Sequence, residues 1–300
     1  MGTPDFAVPA LRAVCEAGHT VAAVYTQPDK PKGRSLKLAP PPVKVCAQEY
    51  DIPVFQPTTM KDEAVWEQIK AHQADCIVVV AYGKLLPKPV LEAAPLGCIN
   101  VHSSLLPKYR GAAPINWAVV CGESVSGVST MQLDEGMDSG DILLQCQTEI
   151  GEDETAGELH DRLSEMGAQL LLDTLTQAEN GTLKPIKQEA DEVSYAPMLD
   201  KKLAVIDWTQ SAQRVHNLVR GLQPWPVALT MNGENRLKIH STKPVDGCGK
   251  CGEVISTEPL TVACGEGAVI ICELQGDGGK RMKSEDYLRG HKIEKGTILG

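Results

Sequence analysis

The run Cys76-Ile77-Val78-Val79-Val80-Ala81 is short, apolar and rich in β-branched residues. A strand with that pattern has no face to give to water, so it belongs in a sheet covered on both sides. Residues 97–102 read the same way, and residues 21–26, 128–134 and 141–150 read as further strands, the last two separated by a glycine-rich turn. Helical stretches fall between them. Residues 6–17 form one, with Asp5 as a cap and Gly18 just past its end. Thr155-Ala156-Gly157-Glu158 is a capping box. It opens a helix that places Leu159, Leu163, Met166, Leu170 and Leu175 on one face and stops near Gly181. Strands alternating with helices imply an α/β fold with a doubly wound, mostly parallel, Rossmann-like sheet.

The pattern changes after residue 183. Residues 184–203 are polar, carry two prolines and lack a period, and read as a linker. A short helix over about 212–221 follows, then short strands with turn signals at Asn232-Gly233, Asp246-Gly247 and 276–279. Such spacing suggests a small β-barrel, OB-like in type. The 300 residues therefore divide into a domain at 1–183, the linker, and a second domain at 204–300.

No apolar run approaches the roughly 20 residues that a membrane helix needs, and the first residues carry neither a basic start nor an apolar core. A soluble, cytoplasmic protein without a membrane partner is expected. Ten cysteines are scattered along the chain. Only Cys248 and Cys251 form a close pair, with no second pair or histidine cluster at ligand spacing, so no metal is expected. The net charge of −10 argues against broad, unspecific binding to nucleic acid, DNA included. The charge is unevenly spread. Residues 1–203 carry 17 basic and 28 acidic side chains, and residues 204–300 carry 12 and 11. Two stretches are locally basic: 28–44, with Lys30, Lys32, Arg34, Lys37 and Lys44, and 280–295, which begins with Lys280, Arg281 and Lys283. Basic runs are more often solvated surface than binding sites.

Asn100 and His102 stand two residues apart at the end of a strand, so they share a face. Ligands of open α/β sheets bind beyond the carboxyl ends of the strands. A proline-braked loop, Ser103 to Gly111, follows, and Asp138 lies further on in the turn Gly136-Met137-Asp138-Ser139-Gly140-Asp141. Taken singly, each has a bland alternative: a histidine at a strand end is usually structural, and an aspartate among glycines usually forms a turn.

Together these segments resemble a known family. Asn100-Val101-His102 with Ser104-Leu105-Leu106-Pro107, then Arg110-Gly111-Ala112-Ala113-Pro114, then Met137-Asp138-Ser139-Gly140-Asp141 are similar to the folate-dependent formyltransferases. The likeness extends to Gly2-Thr3-Pro4-Asp5-Phe6, to residues 27–34, to residues 78–83 and to Trp225-Pro226. It implies 10-formyltetrahydrofolate as co-substrate, with no metal and no covalent enzyme intermediate. Asn100 and His102 would donate to the oxygen of a tetrahedral intermediate. Asp138 would support a charged His102, raise its pKa and help relay a proton. Ser104, Leu105, Leu106 and Pro107 would form the folate loop. Val80, Ala81, Tyr82, Gly83 and Leu85 would form the opposite wall.

The same trio serves acceptors of several kinds. The resemblance implies methionyl initiator tRNA here, because the basic stretch with Lys30, Lys32, Arg34 and Lys37 resembles an insertion that enters the acceptor stem. Lys280, Arg281 and Lys283 lie in what resembles a tRNA-docking barrel. A monomer is expected. The leading alternative is a formyltransferase for an amino-sugar nucleotide, which would lack the basic loop; a non-catalytic RNA-binding protein would not need the trio. A Rossmann dehydrogenase is disfavoured because no Gly-x-Gly-x-x-Gly follows a strand. Family members have an apolar strand ahead of the Gly-Thr-Pro-Asp-Phe segment, which here starts at Gly2. A protein without that strand is expected to be poorly stable.

Overall fold

The computed structural model describes residues 1–32 and 37–300. The chain divides into two compact units. The first comprises Met1–Gly111, Ser126–Thr148 and His160–Ala196; the second comprises Ala112–Val125, Glu149–Leu159 and Pro197–Gly300.

In the first unit the strand Cys98–His102 lies inside a four-stranded sheet, and all five of its residues are buried. Ile77–Val79 pairs with it in parallel, Val79 opposite Asn100. On its other side Val125–Gln132 pairs antiparallel, with His102 opposite Ser129, and Ile142–Glu149 completes the sheet. The sheet expected to be mostly parallel is thus mixed, because Val125–Gln132 returns beside the site strand in the opposite direction. The helix Ala156–Glu179 covers the site strand closely at Gly167. A Cβ there would lie 2.9 Å from Val101 Cγ1, so a larger residue would push helix and sheet apart.

Only Val24 and Tyr25 of the strand expected over 21–26 join a ladder, pairing in parallel with Val54–Phe55. Met1 and Gly2 lie between Tyr25 and Ile77–Val79. The Gly2 amide donates to Tyr25 O at 3.0 Å, and the Val80 amide donates to Met1 O at 2.9 Å. The Met1 ammonium donates to Val78 O at 2.6 Å, and burial pushes its pKa down to about 6. Alongside Met1 runs a cavity of about 910 Å³, lined by Val21, Ala23, Asp75, Cys76 and Val78 and by apolar side chains such as Leu11 and Leu175. Residues 21–23 border this space, and an extended segment without a neighbour at ladder distance forms no strand.

Residues 184–196 belong to the first unit, and backbone pairing ties them to it. Ile186 bridges Ile142, and Tyr195–Ala196 pairs in parallel with Arg110–Gly111.

The second unit is β-rich. Its strands run in the order Ala228–Asn232, Asn235–Val245, Ala268–Gly276, Leu260–Ala263, Val254–Thr257, and Met282–Lys283 also pairs with Ala268–Gly276. The turn Asn232-Gly233 signalled in the sequence joins the first two, with Gly233 at φ 59°. A register slip near Ser241 bends the long strand. Trp208, Leu237, Ile239, Ile271 and Leu274 fill the core beneath the helix Ala212–Gly221. Among the described residues no pairing joins the two end strands of this sheet, and no helix is long and apolar enough to cross a membrane.

Candidate active site

Asn100 and His102 are both buried, at 8% and 6% exposure, on one face of the site strand. The side-chain amide of Asn100 makes no hydrogen bond among the described residues. Among the described residues the one fully buried side-chain polar atom without a partner is Gln223 Nε2, so the Asn100 amide keeps some accessible surface and has a donor to offer a ligand.

The ring of His102 is fixed by its neighbours. Its Nε2 lies 3.0 Å from Tyr109 O. A carbonyl only accepts, so Nε2 carries the hydrogen, and in the neutral ring Nδ1 carries a lone pair. Nδ1 lies 3.7 Å from Asp138 Oδ2, beyond a direct hydrogen bond but close enough to stabilise a proton arriving there. Burial lowers the His102 pKa, and the Asp138 charge followed by the Tyr109 carbonyl oppose this without reversing it. The raised pKa expected from a neighbouring carboxylate is therefore corrected. Desolvation of the ring outweighs the carboxylate, and the imidazole rests neutral.

Asp138 sits in a turn at φ 49°, a left-handed conformation that aspartate tolerates. Its Oδ2 accepts from the Gly111 amide at 2.8 Å. Gln188 holds the turn from outside: its Nε2 donates to Asp138 O at 2.9 Å and to Gly140 O at 2.7 Å. Its Oε1 accepts from Arg110 Nε and Nη2 at 3.0 and 2.7 Å. A Cβ at Gly140 would lie 1.9 Å from Gln132 O, so this turn closes only with glycine there. Sequence reasoning missed Gln188, which lies in an aperiodic polar stretch with no motif around it. Arg110 stood in a quoted motif but without a role.

The loop after His102 is pinned from within. Ser104 Oγ donates to Lys108 O at 2.7 Å, the Leu106 amide donates to Ser129 Oγ at 3.0 Å, and Gln145 Nε2 donates to Leu106 O at 3.0 Å. Ser104, Leu106 and Pro107 are buried and Leu105 is half-buried. Across from it in sequence, Val80 and Tyr82 are buried, with the Tyr82 hydroxyl directed at Met60 Sδ. Ala81 and Gly83 are exposed, and Leu85 is 84% exposed.

The basic candidates differ in how free they are. Lys30 and Lys37 are exposed on a two-stranded ribbon, Lys30–Lys32 paired with Lys37–Ala39; Lys32 belongs to that ribbon, and Arg34 lies outside the described residues. Lys44 is not free, since it pairs with Asp29 at 2.9 Å. Lys280 and Lys283 are exposed, whereas Arg281 is held by Glu273. Cys248 and Cys251 are exposed thiols.

An unpaired amide donor, a neutral imidazole with an open nitrogen and a fixed carboxylate can stabilise a developing oxyanion and move a proton. Residues 1–175 match the formyl transferase family and residues 198–292 match the formyl transferase C-terminal domain, and the chain belongs to this family. Its similarity is high to individual members: methionyl-tRNA formyltransferases of Acetivibrio thermocellus and Clostridium botulinum are 49% and 52% identical over all of this chain and 98% of their own length. Among solved structures, an N-formyltransferase from Helicobacter canadensis in complex with folinic acid and dTDP-3-aminofucose aligns over 94% of this chain and 97% of its own, with a TM-score of 0.70 at 19% identity. HypX from Aquifex aeolicus in complex with tetrahydrofolic acid aligns over 84% of this chain and 47% of its own, with a TM-score of 0.59 at 20% identity. At these identities the likeness is one of fold.

Proposed function

We propose that this protein transfers the formyl group of 10-formyltetrahydrofolate to the free amine of methionyl initiator tRNA. The observation that carries the site assignment is the unpaired amide of buried Asn100 beside the His102–Asp138 pair. The amine attacks the formyl carbon, and the carbonyl electron pair moves onto oxygen. Asn100 Nδ2 donates to that oxygen as its charge develops, which is where a fixed donor is worth most. His102 Nδ1 takes the proton that the amine sheds, Asp138 balances the imidazolium, and the ring returns the proton to the departing folate nitrogen. A neutral resting imidazole suits this relay, because its first step is to accept.

Ser104, Leu105, Leu106 and Pro107 form one side of the folate site, and Val80, Ala81, Tyr82, Gly83 and Leu85 the other. Ala81 and Gly83 offer backbone groups there, and Leu85 offers apolar surface. Lys30, Lys32, Arg34 and Lys37 contact the acceptor stem. Residues 1–183 carry the chemistry, 184–203 lead across, and 204–300 act as an OB-like docking domain through Lys280, Arg281 and Lys283. The protein works as a cytoplasmic monomer. The sheet bend near Ser241 supports the OB-like reading. A formyl-transfer assay on charged initiator tRNA, with His102→Ala as control, tests the proposal. Transfer by the parent that the variant lacks supports it, and no transfer by the parent overturns it.

The fold shared with a sugar N-formyltransferase keeps an amino-sugar nucleotide as the second reading. Lys30 and Lys37, both exposed on the ribbon, favour tRNA. Offering both acceptors in one assay separates the two.

A further inference from the structure

One group of polar side chains in the first unit is not used by the chemistry above. It runs from the base of the basic ribbon to the turn at residues 81–83. Asp29 directly precedes the ribbon strand Lys30–Lys32. Lys44 Nζ donates to Asp29 Oδ1 and Oδ2 at 2.9 and 3.0 Å and to Gln56 Oε1 at 2.8 Å. Gln56 Nε2 donates to Asp29 Oδ1 and to Gln27 O, each at 2.8 Å. Gln27 continues the chain of bonds: its Nε2 donates to Tyr82 O at 3.2 Å and to Gly83 O at 3.0 Å. Thr3 Oγ1 accepts from the Gln27 amide at 3.3 Å and donates to Tyr82 O at 3.1 Å.

The turn that receives these bonds is strained. Ala81 sits at φ 46° and Gly83 at φ 75°. A non-glycine residue in the left-handed region persists where its surroundings over-determine it. Here the restraint comes from two side chains, Gln27 and Thr3, which cap consecutive carbonyls. Among the described residues, removing the Gln27 amide takes the side-chain donor from Gly83 O and leaves Tyr82 O with Thr3. The conformation of the turn therefore depends on where Gln27 is held, and Gln27 is held by Gln56, which is held in turn by the Asp29–Lys44 pair at the foot of the ribbon.

We infer that Gln27 is a positioning residue that couples the two substrates of the proposed reaction, so that tRNA engaging the ribbon tightens the folate wall and folate tightens the ribbon. The inference rests on the folate and tRNA assignments made above. The physical basis is shared ordering: the ligand that binds first restrains the common network, and the second then loses less conformational freedom. Such coupling is reciprocal for binding. Gln56 bonds to Asp29 at the foot of the ribbon and to Gln27, so it stands in the middle of the chain of bonds and is the informative position.

The test measures equilibrium binding of 5-formyltetrahydrofolate, a stable analogue, with and without charged initiator tRNA. The proteins are the parent, Gln27→Leu, Gln56→Leu and Lys44→Met, each first checked for a parent-like melting curve. In the parent, tRNA raises folate affinity about fivefold or more, the low end of common couplings. Gln56→Leu and Lys44→Met weaken folate binding alone less than Gln27→Leu does, and lose the enhancement. Gln27→Leu weakens folate binding with or without tRNA. Amide hydrogen exchange at 81–84 slows on adding tRNA in the parent and not in Gln56→Leu, a difference that a purely structural role would not produce. Full enhancement in Gln56→Leu and Lys44→Met, or none in the parent, overturns the coupling. A parent that binds no charged tRNA in a filter assay overturns the tRNA assignment beneath it instead.

Discussion

The side-chain amide of Gln188 donates to the main-chain oxygen of Asp138 at 2.9 Å, so a residue 50 positions away in sequence fixes where the site carboxylate stands. The same amide holds Gly140 O, and Arg110 holds Gln188 in turn. Gln188→Leu keeps most of the volume and removes all of these bonds. The Asp138 turn, already at a positive φ, then loses its outer restraint. A misplacement of about 1 Å at a reacting group can cost on the order of 100-fold in rate. We expect kcat to fall by about 10- to 100-fold with the KM for both substrates changed much less. Steady-state kinetics measure this, and an unchanged kcat would remove Gln188 from the site.

The protonation of His102 sets the pH dependence. Its pKa is pushed below the ordinary 6.5 by burial, with Asp138 partly opposing. A base that must be neutral therefore stays active through neutral pH, and the acid limb of kcat/KM lies below 6.5. Asp138→Asn removes the opposing charge, so the limb moves further down while kcat drops. Stability follows the same sign. Between the folded pKa and 6.5 the unfolded chain binds more protons, so stability falls as pH drops through that window. A limb above 6.5 in the parent, or an upward shift in the variant, would contradict this account.

How much of this could be read from the sequence depends on the range of the interaction involved. The site strand was legible because alternation within five residues places Asn100 beside His102. The capping box was legible because Thr155 and Glu158 meet across one turn, and both of its bonds are present, at 2.9 and 3.2 Å. The direction of the His102 pKa shift was not, since it depends on how many atoms surround the ring. Nor was the shortened strand at Val24–Tyr25: residues 21–23 have strand composition, but a strand also needs a neighbour, and only the structure shows the cavity there. Gln188 and Gln56 act through single long-range bonds that leave no periodic trace.

That cavity gives a stability prediction. Its volume of about 910 Å³ borders apolar side chains, with the Met1 ammonium buried at its edge. Joining a segment of about five β-branched residues to Met1 replaces that ammonium with a neutral amide and supplies apolar atoms to the space. Each side chain that becomes fully buried stabilises by about 1.5–3 kcal/mol, and each kcal/mol raises Tm by about 2–4 °C in a protein of somewhat smaller size. We expect a rise of several degrees by calorimetry, and no rise from a glycine-serine segment of the same length. Equal melting of the two would mean that the space is not a strand site.

The last prediction separates basic residues that look equivalent in sequence. Lys280 and Lys283 are exposed, whereas the Arg281 guanidinium is engaged by Glu273 through Nε at 2.7 Å. A cation already paired with a carboxylate releases fewer counterions on meeting a phosphate. Each phosphate contact contributes roughly 0.7 to 0.9 to the slope of log affinity against log salt. Lys280→Ala and Lys283→Ala should each weaken tRNA binding and lower that slope by a value of this order. Arg281→Ala should lower it less, because a guanidinium already neutralised by Glu273 releases fewer counterions when it meets a phosphate. Affinities measured by filter binding between about 50 and 200 mM salt, the range over which such slopes develop, distinguish the three. A larger slope change for Arg281→Ala than for either lysine would place the arginine, and not the lysines, against the phosphates.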